Sequence, residues 1–141
     1  MKEYLDTEIV SDEFLVEEGG GNYQDLEERG FQFAKRVRDF VKGIDQSIWN
    51  KEYSKQVIRS SASVGANYIE ANEFLGEKDF LMKIRISRRE AKETRYWIRL
   101  LEIDNKNELE LERQNLIQEA DELKRIFSAI IIKRSKIKNN N

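Results

Sequence analysis

The chain has 141 residues, of which 37% are charged and 39% hydrophobic, and a formal net charge of −2. It contains no histidine, cysteine or proline. That absence excludes disulfides, thiolate chemistry and histidine general bases, leaves zinc without its usual cysteine and histidine ligands, and removes the residue that most often kinks a helix. The length is that of one domain, and no apolar run approaches the ~20 residues of a membrane span. The N-terminus is acidic and unlike a signal peptide, so a cytoplasmic protein without membrane association is expected.

The first 22 residues hold seven acids against Lys2, a net −6, which leaves +4 on the remainder of a chain that totals −2. This acidic arm also carries Tyr4, Leu5, Ile9, Val10, Phe14, Leu15 and Val16. It joins the rest through Gly19, Gly20 and Gly21, a run that reads as a flexible joint. Residues 1–22 are thus expected to be an arm, 23–135 a helical domain and 136–141 a basic, asparagine-ended tail.

Beyond the glycines the apolar pattern repeats with helical period. The first segment, about 24–45, places Phe33, Val37, Phe40, Val41, Ile44 and Ile48 on one face. The second, about 51–73, is unusual: Ile58, Ser61, Val64 or Gly65, Tyr68 and Asn72 recur at helical spacing, and most are small or polar. A mid-helix glycine costs roughly 1 kcal/mol relative to alanine. Close approach of a neighbouring backbone within the subunit, or of a ligand or partner, would offset that cost. The third segment, about 77–104, places Phe80, Ile84, Ser87, Ala91, Thr94, Ile98 and Leu101 on one face. The fourth, about 107–135, uses Leu109, Leu116, Ala120, Leu123, Phe127 and Ile130. Four amphipathic helices with short connections predict an all-α, up-down-up-down antiparallel bundle without a sheet.

The stretch from Gln56 to Ala71, QVIRSSASVGANYIEA, resembles the signature helix of the four-helix-bundle family of bacterial 23S rRNA intervening-sequence proteins. Arg59, Ser63, Gly65, Asn67 and Glu70 stand at its motif positions. Residues Lys78–Ile84 and Glu90–Trp97 resemble the family's second signature, at a fitting distance. Ile58 stands where a second arginine is common, Gly65 replaces the commoner proline and Ala71 the commoner glycine. The resemblance implies a bundle that assembles into a ring, usually a homopentamer, with no enzymatic activity and no cofactor. A related branch, the accessory variability determinant proteins of diversity-generating retroelements, binds nucleic acid and a reverse transcriptase. The implied partners are therefore other copies of the chain, RNA or DNA, and a reverse transcriptase.

Two surfaces of the third helix stand out without any resemblance. Ile86, Trp97 and Leu100 lie nearly opposite its core face, with Tyr96 beside them, and a second apolar face predicts self-association. Arg85, Arg88, Lys92, Arg95 and Arg99 form one line at spacings of three and four. Like charges so placed repel by roughly 0.2–0.5 kcal/mol per pair, so the stripe needs opposite charge. The acidic line Glu108, Glu112, Glu119 and Glu122 of the fourth helix, nucleic-acid phosphate, or an acidic protein would each supply it. On ideal wheels both lines sit on the same rotational side of their core faces, so only one can point squarely into the seam. Lys133, Arg134, Lys136 and Lys138 add cations toward the C-terminus, for phosphate or for the helix dipole. Asn67 and Glu70, one turn apart, are expected to make structural hydrogen bonds rather than to catalyse. No catalytic constellation, metal set or phosphate-binding glycine loop is legible.

The functional expectation is an oligomeric scaffold or accessory factor that binds nucleic acid through the basic stripe. The alternative is a protein-interaction hub with internally paired charges and a partner-binding arm.

Overall fold

A computed structural model describes residues 23–73, 75–104 and 106–139. The acidic arm, 1–22, and the last two asparagines lie outside these residues. Helix α1 runs Tyr23–Lys42, α2 Ile48–Asn72, α3 Glu77–Leu100 and α4 Asn107–Asn139. No strand occurs among the described residues. The four helices pack as a bundle in which α1 touches α2 and α4, and α3 touches α2 and α4.

One core runs through the bundle. Phe33, Val37, Phe40, Val41 and Ile44 of α1 and its following turn are buried, as are Phe80, Ile84, Ala91 and Ile98 of α3 with Leu101 just beyond it. Leu116, Ala120, Leu123 and Phe127 bring in α4. Burial of one such large side chain stabilises by about 1.5–3 kcal/mol. Ile48, expected on the core face of α1, is instead 82% exposed. The first helix stops before it, and Ile48 opens α2 just after the cap residue Ser47, whose hydroxyl accepts from the Asn50 N–H at 3.2 Å.

Helix α2 buries a mostly small and polar line: Ser54, Val57, Ser60, Ser61, Val64, Tyr68 and Ala71. Ile58, read from the sequence as part of that line, points outward. The small residues serve two close contacts. Toward α3, the Ser87 hydroxyl donates to the Val64 carbonyl at 2.9 Å, and the Thr94 and Ser60 hydroxyls meet at 2.8 Å. Toward α1, Gly65 lies against Gly30, so near that a Cβ on Gly30 would come within 3.1 Å of the Gly65 Cα. The close approach thus needs glycine at position 30, whereas a Cβ on Gly65 would meet nothing closer than 3.5 Å.

The helix ends are set by side chains. Glu77 and Asp79 sit in the first turn of α3, where they complement its dipole. Gly76 precedes it with φ 147°, a backbone conformation that glycine alone adopts readily. At the other end Arg113 of α4 donates to the carbonyls of Ile98, Arg99 and Leu101 at 2.7–3.3 Å. These bonds close α3 at Leu100, four residues earlier than its periodicity suggests. Helix α4 runs on to Asn139, through residues that the charge pattern alone divides off as a tail from 136.

Candidate nucleic-acid interface

Three members of the acidic line of α4, Glu112, Glu119 and Glu122, pair with α1 and not with the basic stripe. Arg29 of α1 donates to Glu119 at 2.8 and 2.7 Å and to Glu122 at 2.6 Å. Arg36, two turns on, donates to Glu112 at 3.0 Å. Rotation of α4 explains the choice: with Leu116, Ala120, Leu123 and Phe127 turned inward, the glutamates fall on the side of α1. The side facing α3 presents Asp121, Lys124, Arg125 and Ser128.

The basic stripe consequently lines an open groove between α3 and α4 with a volume of about 410 Å³. Lys92, Arg95, Tyr96 and Arg99 form one wall, and Asp121, Lys124 and Arg125 the other. Five cations face one carboxylate there. Asp121 pairs with Arg95 at 3.1 Å, while Lys92, Arg99 and Arg125 have no carboxylate partner among the described residues. Arg88 continues the wall and reaches the Ser128 hydroxyl at 3.4 Å. Arg85 lies exposed one turn further along. Lys124 and Arg125 were not singled out in the sequence. Their position depends on register: the Arg88–Ser128 and Arg95–Asp121 contacts bring Lys124 level with Lys92.

The C-terminal cations divide. Arg134 is held by Glu77 at 3.1 Å and lies over the Phe80 ring at 4.5 Å, so it ties the far end of α4 to the start of α3. Lys133 and Lys136 are exposed. The side chain of Lys138 lies outside the described residues.

The apolar set on α3 also divides. Tyr96 is 55% exposed at the lip of the groove. Trp97 packs against the core, 6.1 Å from the Tyr53 ring of α2, and receives Tyr96 edge-on at 5.2 Å. Ile86 and Leu100 are half-buried. Tyr53 thus covers part of the face that the sequence presents as bare.

Two of the signature residues of α2, Arg59 and Glu70, act toward α3. Arg59 lies 3.4 Å from both Glu90 and Glu93, and Glu70 pairs with Lys83 at 2.7 Å. The Glu70 carboxylate accepts that bond and thereby raises the Lys83 pKa above its ordinary 10.5. Ser63 donates to the Arg59 carbonyl at 2.9 Å and Asn67 to the Ser63 carbonyl at 2.9 Å, both within the helix. Arg59 and Glu70 stitch two helices together; Ser63, Asn67 and the packed Gly65 complete the local architecture.

No group of three or more carboxylates, histidines or cysteines able to hold a metal occurs among the described residues. Nor is any helix among them long and apolar enough to cross a membrane.

Comparison with known proteins agrees with this architecture. No match is found among curated proteins. A solved structure from Bacteroides thetaiotaomicron, described as a protein with unknown function from the S23 ribosomal protein family, is similar at 27% identity and a TM-score of 0.63. The similarity covers 77% of this chain and 96% of that one. The family described as 23S rRNA-intervening sequence protein matches residues 24–129, the helical part from the start of α1 to late in α4. With its two signatures joining α2 to α3 inside that span, the chain belongs to the family of 23S rRNA-intervening sequence proteins.

Proposed function

We propose that the protein is a non-enzymatic scaffold that binds the phosphate backbone of RNA or DNA in the groove between α3 and α4. One observation carries the reading: Glu112, Glu119 and Glu122 of α4 are engaged by Arg29 and Arg36, and Lys92, Arg99 and Arg125 beside the groove have no carboxylate partner among the described residues. Uncompensated cations in an open groove suit a polyanion, whose counterions are released on binding. Tyr96 adds an exposed ring on which an unpaired base would stack, a contact that tolerates any sequence.

The proposed assembly is a ring of antiparallel four-helix bundles. Contacts support the antiparallel order, since partner numbers fall along one helix as they rise along its neighbour: Arg88 with Ser128, then Arg95 with Asp121. Ile86, Tyr96 and Leu100, beside the partly covered Trp97, are the proposed subunit contact. A ring would repeat the groove and multiply a weak charge into a strong field. Such a scaffold would suit an accessory role beside a nucleic-acid enzyme such as a reverse transcriptase.

The test is binding to a single-stranded RNA and to a DNA duplex across a salt series. The wild type is compared with a Lys92→Glu, Arg99→Glu, Arg125→Glu variant, which breaks no ion pair among the described residues. Binding is expected to weaken steeply with salt. The variant should lose about 2–3 from the log–log salt slope per groove, at roughly 0.7–0.9 per phosphate contact. Absent binding at low salt, or an unchanged slope in the variant, overturns the proposal.

A further inference from the structure

A second groove lies on the opposite side of the bundle, between α1 and α2, with a volume of about 440 Å³. Its character is different. Gly30, Gly65, Ala62 and Ala66 make a floor without bulk, and Phe31, Ile58 and Ile69 stand around it 44–57% exposed. The glycine contact between the two helices creates the trough, because nothing larger than hydrogen fills the crossing. Lys35 and Arg38 lie toward one end and Glu27 toward the other. Lys35 has no carboxylate partner among the described residues, and its ammonium sits 5.6 Å over the Phe31 ring. Glu27 is occupied by the Asn72 amide at 3.0 Å. An occupant would therefore present apolar side chains to the trough and carboxylates to the Lys35 end.

The chain carries such a segment in the sequence that precedes α1. Residues 2–18 combine seven acids with seven large apolar residues, in two clusters, Tyr4 to Val10 and Phe14 to Val16. We propose that this acidic arm docks in the α1–α2 groove of its own subunit, with Phe14, Leu15 and Val16 against Phe31 and Ile69 and the more distal carboxylates near Lys35 and Arg38. The reach fits. Gly19 to Asn22 span about 13 Å when extended. Phe31 is eight residues beyond the start of α1, about 12 Å of helix rise. A chain reversing at the three glycines thus arrives at Phe31 with its nearer apolar cluster. The groove then continues in the same direction, past Ala62 to Ile58 and Arg38, beneath the remaining residues. Tethering makes the contact intramolecular, so modest affinity suffices to fill the site. The arm in this position leaves the α3–α4 groove open, and the inference stands apart from nucleic-acid binding.

The natural chain has no cysteine, so one engineered pair can be read without interference. The full-length Leu15→Cys, Ala66→Cys variant is oxidised mildly and compared on a non-reducing gel with Leu15→Cys, Lys92→Cys, whose second site lies on the other groove. The first pair is expected to close at least tenfold faster and to give an intrachain product that migrates as a monomer. Adding Ala62→Glu, at an exposed floor position, should slow that closure several-fold with helical content unchanged by circular dichroism. Equal rates for the two pairs, or no effect of Ala62→Glu, overturn the proposal. A product that is mainly an interchain dimer overturns it in favour of a second copy's arm.

Discussion

The side chain of Asn50 mimics a strand partner for Glu102: its amide donates to the Glu102 carbonyl at 2.9 Å, and its oxygen accepts the Glu102 N–H at 2.9 Å. A third bond runs to the Asp45 carbonyl at 2.8 Å. Asn50 is 1% exposed, and it joins the α1–α2 turn to the α3–α4 turn at one end of the bundle. Asn50→Ala leaves these backbone groups without their partner. A loss of about 2–3 kcal/mol is expected, read as a lower urea midpoint at unchanged slope. Asn50→Asp keeps an acceptor but loses both donated bonds, and should not restore stability.

The two facing glycines should respond differently to alanine. A Cβ on Gly30 would meet the Gly65 Cα at 3.1 Å, a backbone atom that can give way only by separating the helices. Gly30→Ala is expected to destabilise by about 1–3 kcal/mol from overpacking, less the gain in helix propensity. A Cβ on Gly65 would meet nothing closer than 3.5 Å, an ordinary contact. Gly65→Ala should then be neutral or stabilise by up to about 1 kcal/mol. Thermal unfolding of both variants decides it; equal destabilisation would contradict this geometry.

Arg29 and Arg36 make similar pairs in different surroundings. The Arg29 side chain is 21% exposed and serves two glutamates, one of them 14% exposed. Arg36 and Glu112 are each more than a third exposed. Arg29→Ala is expected to cost about 1–3 kcal/mol, since it strands a shielded carboxylate. Arg36→Ala should cost less than about 1 kcal/mol and lose its effect in high salt. Denaturant midpoints at low and high salt separate the two.

The Glu70–Lys83 pair makes a prediction in pH. Hydrogen bonding to Glu70, then its charge, raises the Lys83 pKa above 10.5. A raised lysine pKa means that the linked stabilisation is complete below 10.5 and is lost as pH rises through the folded value. Glu70→Gln removes the charge and should bring the Lys83 titration down toward 10.5, measured by NMR of its side-chain carbons. An unshifted titration would show that the pair is not populated in solution.

Residues that meet their own helix's period were legible from the chain alone. Phe80, Ile84, Ser87, Ala91, Thr94 and Ile98 recur every three or four positions, and all are buried. The five-cation stripe was legible for the same reason, because a line along one helix is a local property. Helix α2 was harder. Its core face is made of Ser60, Ser61 and Val64 while Ile58 and Ile69 face outward, so hydropathy does not mark the buried side.

By itself the sequence determined four amphipathic helices, their order, a charge-segregated arm and a cationic line that no neighbour in the same helix could neutralise. Only the tertiary structure decided where the opposite charges went. The rotation of α4 about its axis sends Glu112, Glu119 and Glu122 to α1 and turns Lys124 and Arg125 toward the stripe. That rotation is set by simultaneous packing of all four helices, and partners such as Asn50 and Glu102, 52 residues apart, meet only after the bundle has closed. Periodicity is a property of one helix, whereas the pairing of its surface charges depends on which neighbour it faces.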